Sequence, residues 1–401
     1  MQICFFEDDF LENFHPLTLT RPVYDLRIGI FTLGEKWNKS LEVEKSPTGQ
    51  NRSQLQGVFG SISENLNGDS ALWINPRFMP EPDLVKTVKS LDLNCAIVCD
   101  GATIAARVDQ STHKSWLKSG ISLKSLSTVD YHQESLQNIW QLFQWNGEEI
   151  QNDLDRFSPT KVKKEDHPNA TFINPDRIYV EDEATIEAGA ILIADEGPIF
   201  IGKGAQIMAN SVIRGAAAIC ESSVVKMGAK IYEDTTLGPV CKVGGEISNV
   251  IFHSYTNKGH DGYAGNSIFG QWCNIGADTN TSNLKNNYGT VKFRDWKSGK
   301  EIDTGQQFIG TVMGDHSKTG INAMLNTGTL CGVCCNLFSD GYPPKYVPSF
   351  SWVSGSNVVP YHFDKAIEAM ERMMKRRDVD MTPAYKEMMR VIMESNSESD
   401  Q

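Results

Sequence analysis

The chain has 401 residues, a formal charge of −12 and 40 % apolar residues, enough for two or three hydrophobic cores in an ordinary globular composition. A net negative charge excludes a non-specific nucleic-acid binder, which needs a basic surface. No stretch approaches the about 18 consecutive apolar residues of a membrane span, so neither nucleic acid nor membrane is an expected partner.

In chain order, MQICFFEDD lacks the basic start and long apolar run of a secretory signal, and a cytoplasmic location is expected. Cys4-Phe5-Phe6, Ala71-Leu72-Trp73-Ile74 and Cys95-Ala96-Ile97-Val98-Cys99 read as strands ending in polar residues. Between the last two, Glu81 to Lys89 reads as a helix, with Pro82 in its first turn and Asp83 beside the positive end of its dipole. This is an α/β pattern, taken to span residues 1–165. Leu41 to Arg52 is polar and punctuated by Pro and Gly, so it is expected to be a loop, and Ser158 to Ala170 the linker to the next domain. Arg21 and Arg27 are candidate phosphate ligands or structural ion-pair partners. Asn75 and Asp100 each follow an apolar strand and can hold Mg²⁺, or in the case of Asp100 simply start the turn Asp100-Gly101.

From about residue 171 a six-residue beat sets in. Ile201, Ile207, Ile213, Ile219, Val225, Ile231, Leu237 and Val243 keep it most strictly. After a polar interruption through Asn287 to Ile302 it resumes at Gly314, Gly320, Leu325, Gly332 and Leu337. One inward side chain per short strand, with small residues at the turns, specifies a left-handed parallel β-helix over residues 171–350. Tyr361 to Glu394 carries Ala366, Met370, Met373, Met388 and Val391 at helical spacing, predicting two helices in a tail over residues 360–395. The nine cysteines sit in apolar contexts, which suits buried reduced thiols better than a disulfide framework, and Cys331-x-x-Cys334 has no second pair to make a metal site.

The beat is densest in function-bearing residues from Phe252 to Asn280, where Gly259-His260-Asp261-Gly262-Tyr263 precedes Phe269-Gly270-Gln271-Trp272-Cys273-Asn274-Ile275-Gly276-Ala277. These two blocks, at this spacing, resemble the bifunctional UDP-N-acetylglucosamine pyrophosphorylase / glucosamine-1-phosphate N-acetyltransferase family, most closely over residues 226–340. Leu17-Thr18-Leu19-Thr20-Arg21-Pro22 resembles in part the start of its sugar-phosphate nucleotidyltransferase domain, but acidic Glu7-Asp8-Asp9-Phe10-Leu11-Glu12 stands where that family has a Gly-rich phosphate loop.

The resemblance implies an acetyl-CoA-dependent sugar-phosphate acetyltransferase, with glucosamine-1-phosphate the expected acceptor, joined to a divergent domain for uridylyl or thymidylyl transfer from a nucleoside triphosphate with Mg²⁺. It implies that His260 is the general base and that Tyr263 and Asn274 bind the sugar phosphate. The Ala277 backbone then faces the acetyl group, Ile321 and Ser339 line the coenzyme channel, and the assembly is a homotrimer. Lys226 keeps a cation where the family has an Arg, Ser248 stands at a family Lys, and Asn283 and Lys285 lie in a loop that differs. Chemistry agrees: an ammonium must lose a proton before it attacks a thioester, an imidazole suits that task, and a backbone N–H can meet the oxyanion. Two alternatives stay open, an acetyltransferase with an inactive first domain and a zinc carbonic anhydrase using His253, His260 and His316, although His253 and His260 are seven apart rather than five.

Overall fold

The computed structural model describes residues 2–157, 159–355 and 357–399. Ser158, the first residue of the expected linker, lies outside the described residues. The chain forms two compact units, Met1–Phe14 with Arg21–Leu26 and Phe31–Gln137, and His15–Thr20 with Arg27–Ile30 and Asn138–Gln401. The second unit therefore includes two short early segments as well as residues 138–157.

In the first unit, β1 (Gln2–Phe5), β2 (Ala71–Ile74), β3 (Cys95–Cys99), β4 (Ala102–Val108) and β5 (Ser127–Asp130) form one sheet in the order β1-β2-β4-β3-β5. β4 runs against its neighbours and the other four run one way. The continuous apolar runs of β2 and β3 are buried on both faces, as expected of parallel strands covered by helices. α1 (Leu33–Ser40) starts with a capping box between Thr32 and Glu35. α2 (Pro82–Lys89) starts at the proline that the sequence places in its first turn, and α3 (Gln110–Ser119) is capped by Asp109. Glu7, Asp8, Asn75, Asp100 and His132 all follow the carboxyl ends of parallel strands, the customary ligand edge of such a sheet.

The second unit is a left-handed parallel β-helix. Its short strands pair in parallel from Thr171–Ile173 to Ser351–Ser354, and Ile201, Ile207, Ile213, Ile219, Val225, Ile231, Leu237 and Val243 lie in one buried core. The polar interruption is an antiparallel hairpin, Lys292–Arg294 with Glu301–Asp303. One corner is built from residues with left-handed backbone, among them Ser222, Val240, Tyr255, Trp272, His316, Cys334 and Phe350. The residue after each corner is small and polar. Cys241 N–H donates to Ser223 Oγ at 3.0 Å, Cys273 N–H to Thr256 Oγ1 at 3.0 Å and Cys335 N–H to Ser317 Oγ at 2.9 Å. This ladder satisfies corner amides that face the core and explains three cysteines. All nine cysteines are free and buried.

α4 (Asn146–Phe157) is tied to this unit through Asn146, which donates to the Asp234 carbonyl at 2.8 Å and accepts the Gly29 N–H at 2.8 Å. At the other end, α5 (Phe363–Lys375) and α6 (Pro383–Ser399) are the two predicted helices. α6 meets an aromatic column in which Tyr255 stacks on Trp272 (4.2 Å), Trp272 stacks on His316 (6.2 Å), and His316 Nε2 lies 2.8 Å from the Tyr385 hydroxyl. No helix among the described residues is long and apolar enough to cross a membrane.

Candidate functional site

Asn257 pairs with Asn274 on the next coil, Asn274 with Lys318, and Lys318 with Asn336. Three residues further along each of these coils stand His260, Ala277, Ile321 and Ser339. The fold thus puts the candidate base, the candidate oxyanion donor and both candidate channel residues in register on four successive coils. The ladder is close-packed here: the Asn322 N–H donates to the Ala277 carbonyl at 2.8 Å, and a Cβ on Gly276 would lie 2.1 Å from the Gly320 oxygen. Among the described residues no partner takes the Ala277 N–H. Ile321 is 73 % exposed, while Ser339 Oγ accepts the Gly341 N–H at 3.3 Å and donates to the Gly355 carbonyl at 3.3 Å.

His260 is exposed, in the turn between Asn257–Lys258 and a nine-residue strand, β6 (Tyr263–Gln271). Its imidazole has no protein hydrogen bond among the described residues. At the start of β6, the Tyr263 N–H donates to Asn280 Oδ1 at 2.8 Å, and the Tyr263 hydroxyl accepts from Asn283 Nδ2 at 3.2 Å. Burial raises the phenol pKa, with the Asn283 bond opposing it. Asn283 also donates to Asn266 Oδ1 at 2.7 Å, so two candidate substrate ligands from different coils form one polar cluster. Asn274 Oδ1 accepts from Asn257 Nδ2 at 3.1 Å. Lys226 is half-buried one coil before Gly244, whose added Cβ would sit 3.1 Å from the Lys226 Cβ. Lys285 donates to the Thr290 carbonyl and holds its own loop.

Of the three histidines of the zinc alternative, two are inside the fold. His253 is 6 % exposed with Nδ1 3.0 Å from Ser254 Oγ, and His316 is fully buried against Tyr385 and Trp272. Only His260 is open to solvent, and that weighs against the alternative.

The strand ends of the first unit tell a different story. Glu7 pairs with Arg52 at 2.9 Å and accepts the Val23 N–H at 2.9 Å. Asp8 pairs with Arg77, a 2 % exposed guanidinium that also donates to Ser135 Oγ and the Leu136 carbonyl. Two carboxylates of the acidic segment, Glu7 and Asp8, are thus paired with the protein's own arginines. Arg21 is 1 % exposed and pairs with Asp25 at 3.0 Å. Arg27, in the second unit, donates to the His253 and Ile30 carbonyls. Arg21 thus forms an ion pair, the structural alternative left open by the sequence, while Arg27 is held by backbone carbonyls. Asn75 is buried, donates to Asp8 at 2.7 Å and accepts the Arg77 N–H at 3.1 Å. Asp100 lies with Cys99 and His132, one ligand atom of each being within 4.8 Å of the others. An amide already occupied by an ion-pair network and a carboxylate beside a thiol and an imidazole do not make an Mg²⁺ site, which wants hard oxygen donors in an octahedron.

Residues 3–161 match the family model described as "Sugar nucleotidyl transferase". Bifunctional protein GlmU of Rippkaea orientalis is 25 % identical over 174 residues, 38 % of this chain and 34 % of its own length. GlmU of Methanococcus vannielii is 33 % identical over 108 residues, 27 % of this chain and 24 % of its own. Over these segments the chain is similar to the bifunctional GlmU proteins. A bifunctional sugar-1-phosphate nucleotidylyltransferase/acetyltransferase of Sulfurisphaera tokodaii is 28 % identical over 162 residues, 40 % of this chain and 35 % of its own. The chain spans about a third of the length of these curated relatives. Among solved structures, the polySia specific acetyltransferase NeuO is 17 % identical with a TM-score of 0.28, covering 51 % of this chain and 98 % of its own.

One feature of the candidate site escapes sequence reading. Lys258 is 1 % exposed, and its ammonium donates to the carbonyls of Gly244 (3.2 Å), His260 (3.0 Å) and Asp261 (3.2 Å). Burial lowers its pKa to about 8, with Asp261 and Asp278 pulling the other way. It is the internal strut of the His260 turn. A lysine beside Gly259 reads as an exposed turn residue, and only the three inward carbonyls reveal it.

Proposed function

We propose that the β-helix transfers an acetyl group from acetyl-CoA to the amine of an amino-sugar phosphate, glucosamine-1-phosphate being the expected acceptor, in a cytoplasmic homotrimer. The observation that carries this reading is the register of His260, Ala277, Ile321 and Ser339 on successive coils. His260 takes a proton from the acceptor ammonium, and the freed amine attacks the thioester carbonyl. The oxyanion of the tetrahedral intermediate meets the Ala277 N–H, which has no competing protein acceptor among the described residues. As the intermediate collapses, the attacking nitrogen gives up its second proton and the C–S bond breaks, and the released thiolate takes that proton as the coenzyme departs. Tyr263, Asn283 and Asn274 supply polar contacts for the sugar, and Lys226 supplies a cation for its phosphate.

The names of the relatives support a second activity in residues 3–161, transfer of a nucleotidyl group to a sugar-1-phosphate. The pairing of Glu7 with Arg52 and of Asp8 with Arg77 favours instead a first domain whose phosphate-binding edge has been closed off. Incubation with glucosamine-1-phosphate, acetyl-CoA, UTP or dTTP and Mg²⁺, following thiol and pyrophosphate separately, decides between them. Thiol without pyrophosphate supports the acetyltransferase alone. Absence of thiol overturns the main proposal.

A further inference from the structure

The donors around Asp100 suit another ion. We propose that Cys99, Asp100 and His132 form a binding site for a zinc-class divalent cation. Thiolate, imidazole and carboxylate are the donor types that zinc accepts in tetrahedral sites, at about 2.3, 2.0 and 2.0–2.2 Å. In a tetrahedron those lengths place a sulfur and an oxygen ligand roughly 3.5 Å apart. Cys99 Sγ and Asp100 Oδ2 are 3.8 Å apart, and the chosen atoms of all three residues lie within 4.8 Å of one another. A small closing of these distances would bring them onto one ion.

The backbone explains why neighbours in sequence converge. Successive residues of a strand point to opposite faces, but Asp100 (φ +47°) and Gly101 (φ +84°) adopt left-handed backbone in the β3–β4 turn, and this turns the Asp100 carboxylate back beside the Cys99 sulfur. His132 arrives from the neighbouring parallel strand end. The Tyr131 N–H donates to the Val98 carbonyl at 2.8 Å, the Cys99 thiol lies 3.5 Å from the Gln133 carbonyl, and Gln133 Nε2 donates to the Met79 carbonyl at 2.8 Å. The loop carrying the imidazole is therefore pinned on both sides of His132, in the way outer partners fix metal ligands. Cys99 is buried while Asp100 and His132 are exposed, so an ion here keeps a coordination position toward solvent for water or an anionic oxygen. On binding, the Cys99 S–H gives its proton to the medium and the sulfur bonds the ion as thiolate.

The proposal is independent of acetyl transfer, and its test does not use activity. The full chain, stripped with a chelator, is titrated with Co²⁺, whose bond to a thiolate gives a charge-transfer band. One equivalent per chain is expected, displaced by Zn²⁺ and not by excess Mg²⁺. Cys99→Ser removes the band, and His132→Ala, at an exposed position that leaves the core untouched, weakens zinc binding by more than the about 100-fold that an outer-shell loss costs. Cys334→Ser leaves the band intact. Absence of a thiolate band in the folded protein, its survival in Cys99→Ser, unaltered affinity in His132→Ala, or displacement by Mg²⁺ overturns the assignment.

Discussion

The Lys258 ammonium lies 3.0 Å from the His260 carbonyl oxygen, inside the turn that presents the His260 imidazole to solvent. A buried cation thus sets the backbone of an exposed residue, and the two roles are separable by experiment.

Lys258→Met keeps the apolar stem and removes the donors. Carbonyls of Gly244, His260 and Asp261 lose a shared partner, and acetyl transfer is expected to fall while coenzyme binding persists. The pH dependence has a definite sign. Below about 8 both native and unfolded Lys258 are protonated, and its contribution is constant. Between about 8 and the ordinary lysine value of about 10.4 the unfolded chain holds the proton and the native one does not, so stability rises with pH, by at most about 1.4 kcal/mol per unit. Urea midpoints of wild type and Lys258→Met at pH 7.5 and 9.5 should diverge in favour of wild type. A wild-type midpoint that falls relative to the variant's between those pH values contradicts the lowered pKa of the buried lysine.

His260→Ala should leave circular dichroism and acetyl-CoA binding unchanged, because an exposed turn side chain adds nothing to the core. The rate of thiol release should drop by about 10²–10⁴, the usual worth of a general base. Raising the pH should restore part of it, since more of the acceptor amine is then already free. Wild-type release at neutral pH in the variant refutes the role.

Tyr263→Phe keeps the ring and deletes the hydroxyl that joins Asn283. One net hydrogen bond is worth about 0.5–1.5 kcal/mol, so KM for the sugar phosphate should rise up to about tenfold with kcat little changed, the pattern of uniform binding loss. A selective fall in kcat would instead place Tyr263 in the chemical step.

Gly276→Ala and Gly259→Ala make a matched pair on adjacent coils. The first places a Cβ 2.1 Å from the Gly320 oxygen, whereas the second meets nothing nearer than Asn257 Oδ1 at 3.4 Å. Gly276→Ala should cost about 1–3 kcal/mol of stability through forced backbone movement and lower acetyl transfer with it, while Gly259→Ala keeps its urea midpoint. Equal midpoints would mean that the coils are not packed as described.

What the sequence determined by itself is what is periodic or local. The beat from Ile201 to Val243 determines the β-helix because each inward position is filled by a side chain a few residues away, and Pro82 and Asp83 mark a helix start without reference to anything distant. His260, Ala277 and Ile321 were singled out by the family resemblance, and their shared register came only from the structure, since the hairpin Lys292–Arg294 with Glu301–Asp303 interrupts the beat between Ala277 and Ile321. Only the tertiary structure decided the fate of the charges. Whether Arg21 meets a ligand or Asp25, whether Asp8 repels a phosphate or is held by Arg77, and whether Lys258 is solvated or a buried strut depend on which distant backbone atoms and opposite charges arrive beside them. The same holds for Cys99, Asp100 and His132, whose meeting requires a left-handed turn after one strand and the pairing of another, and no spacing along the chain encodes that.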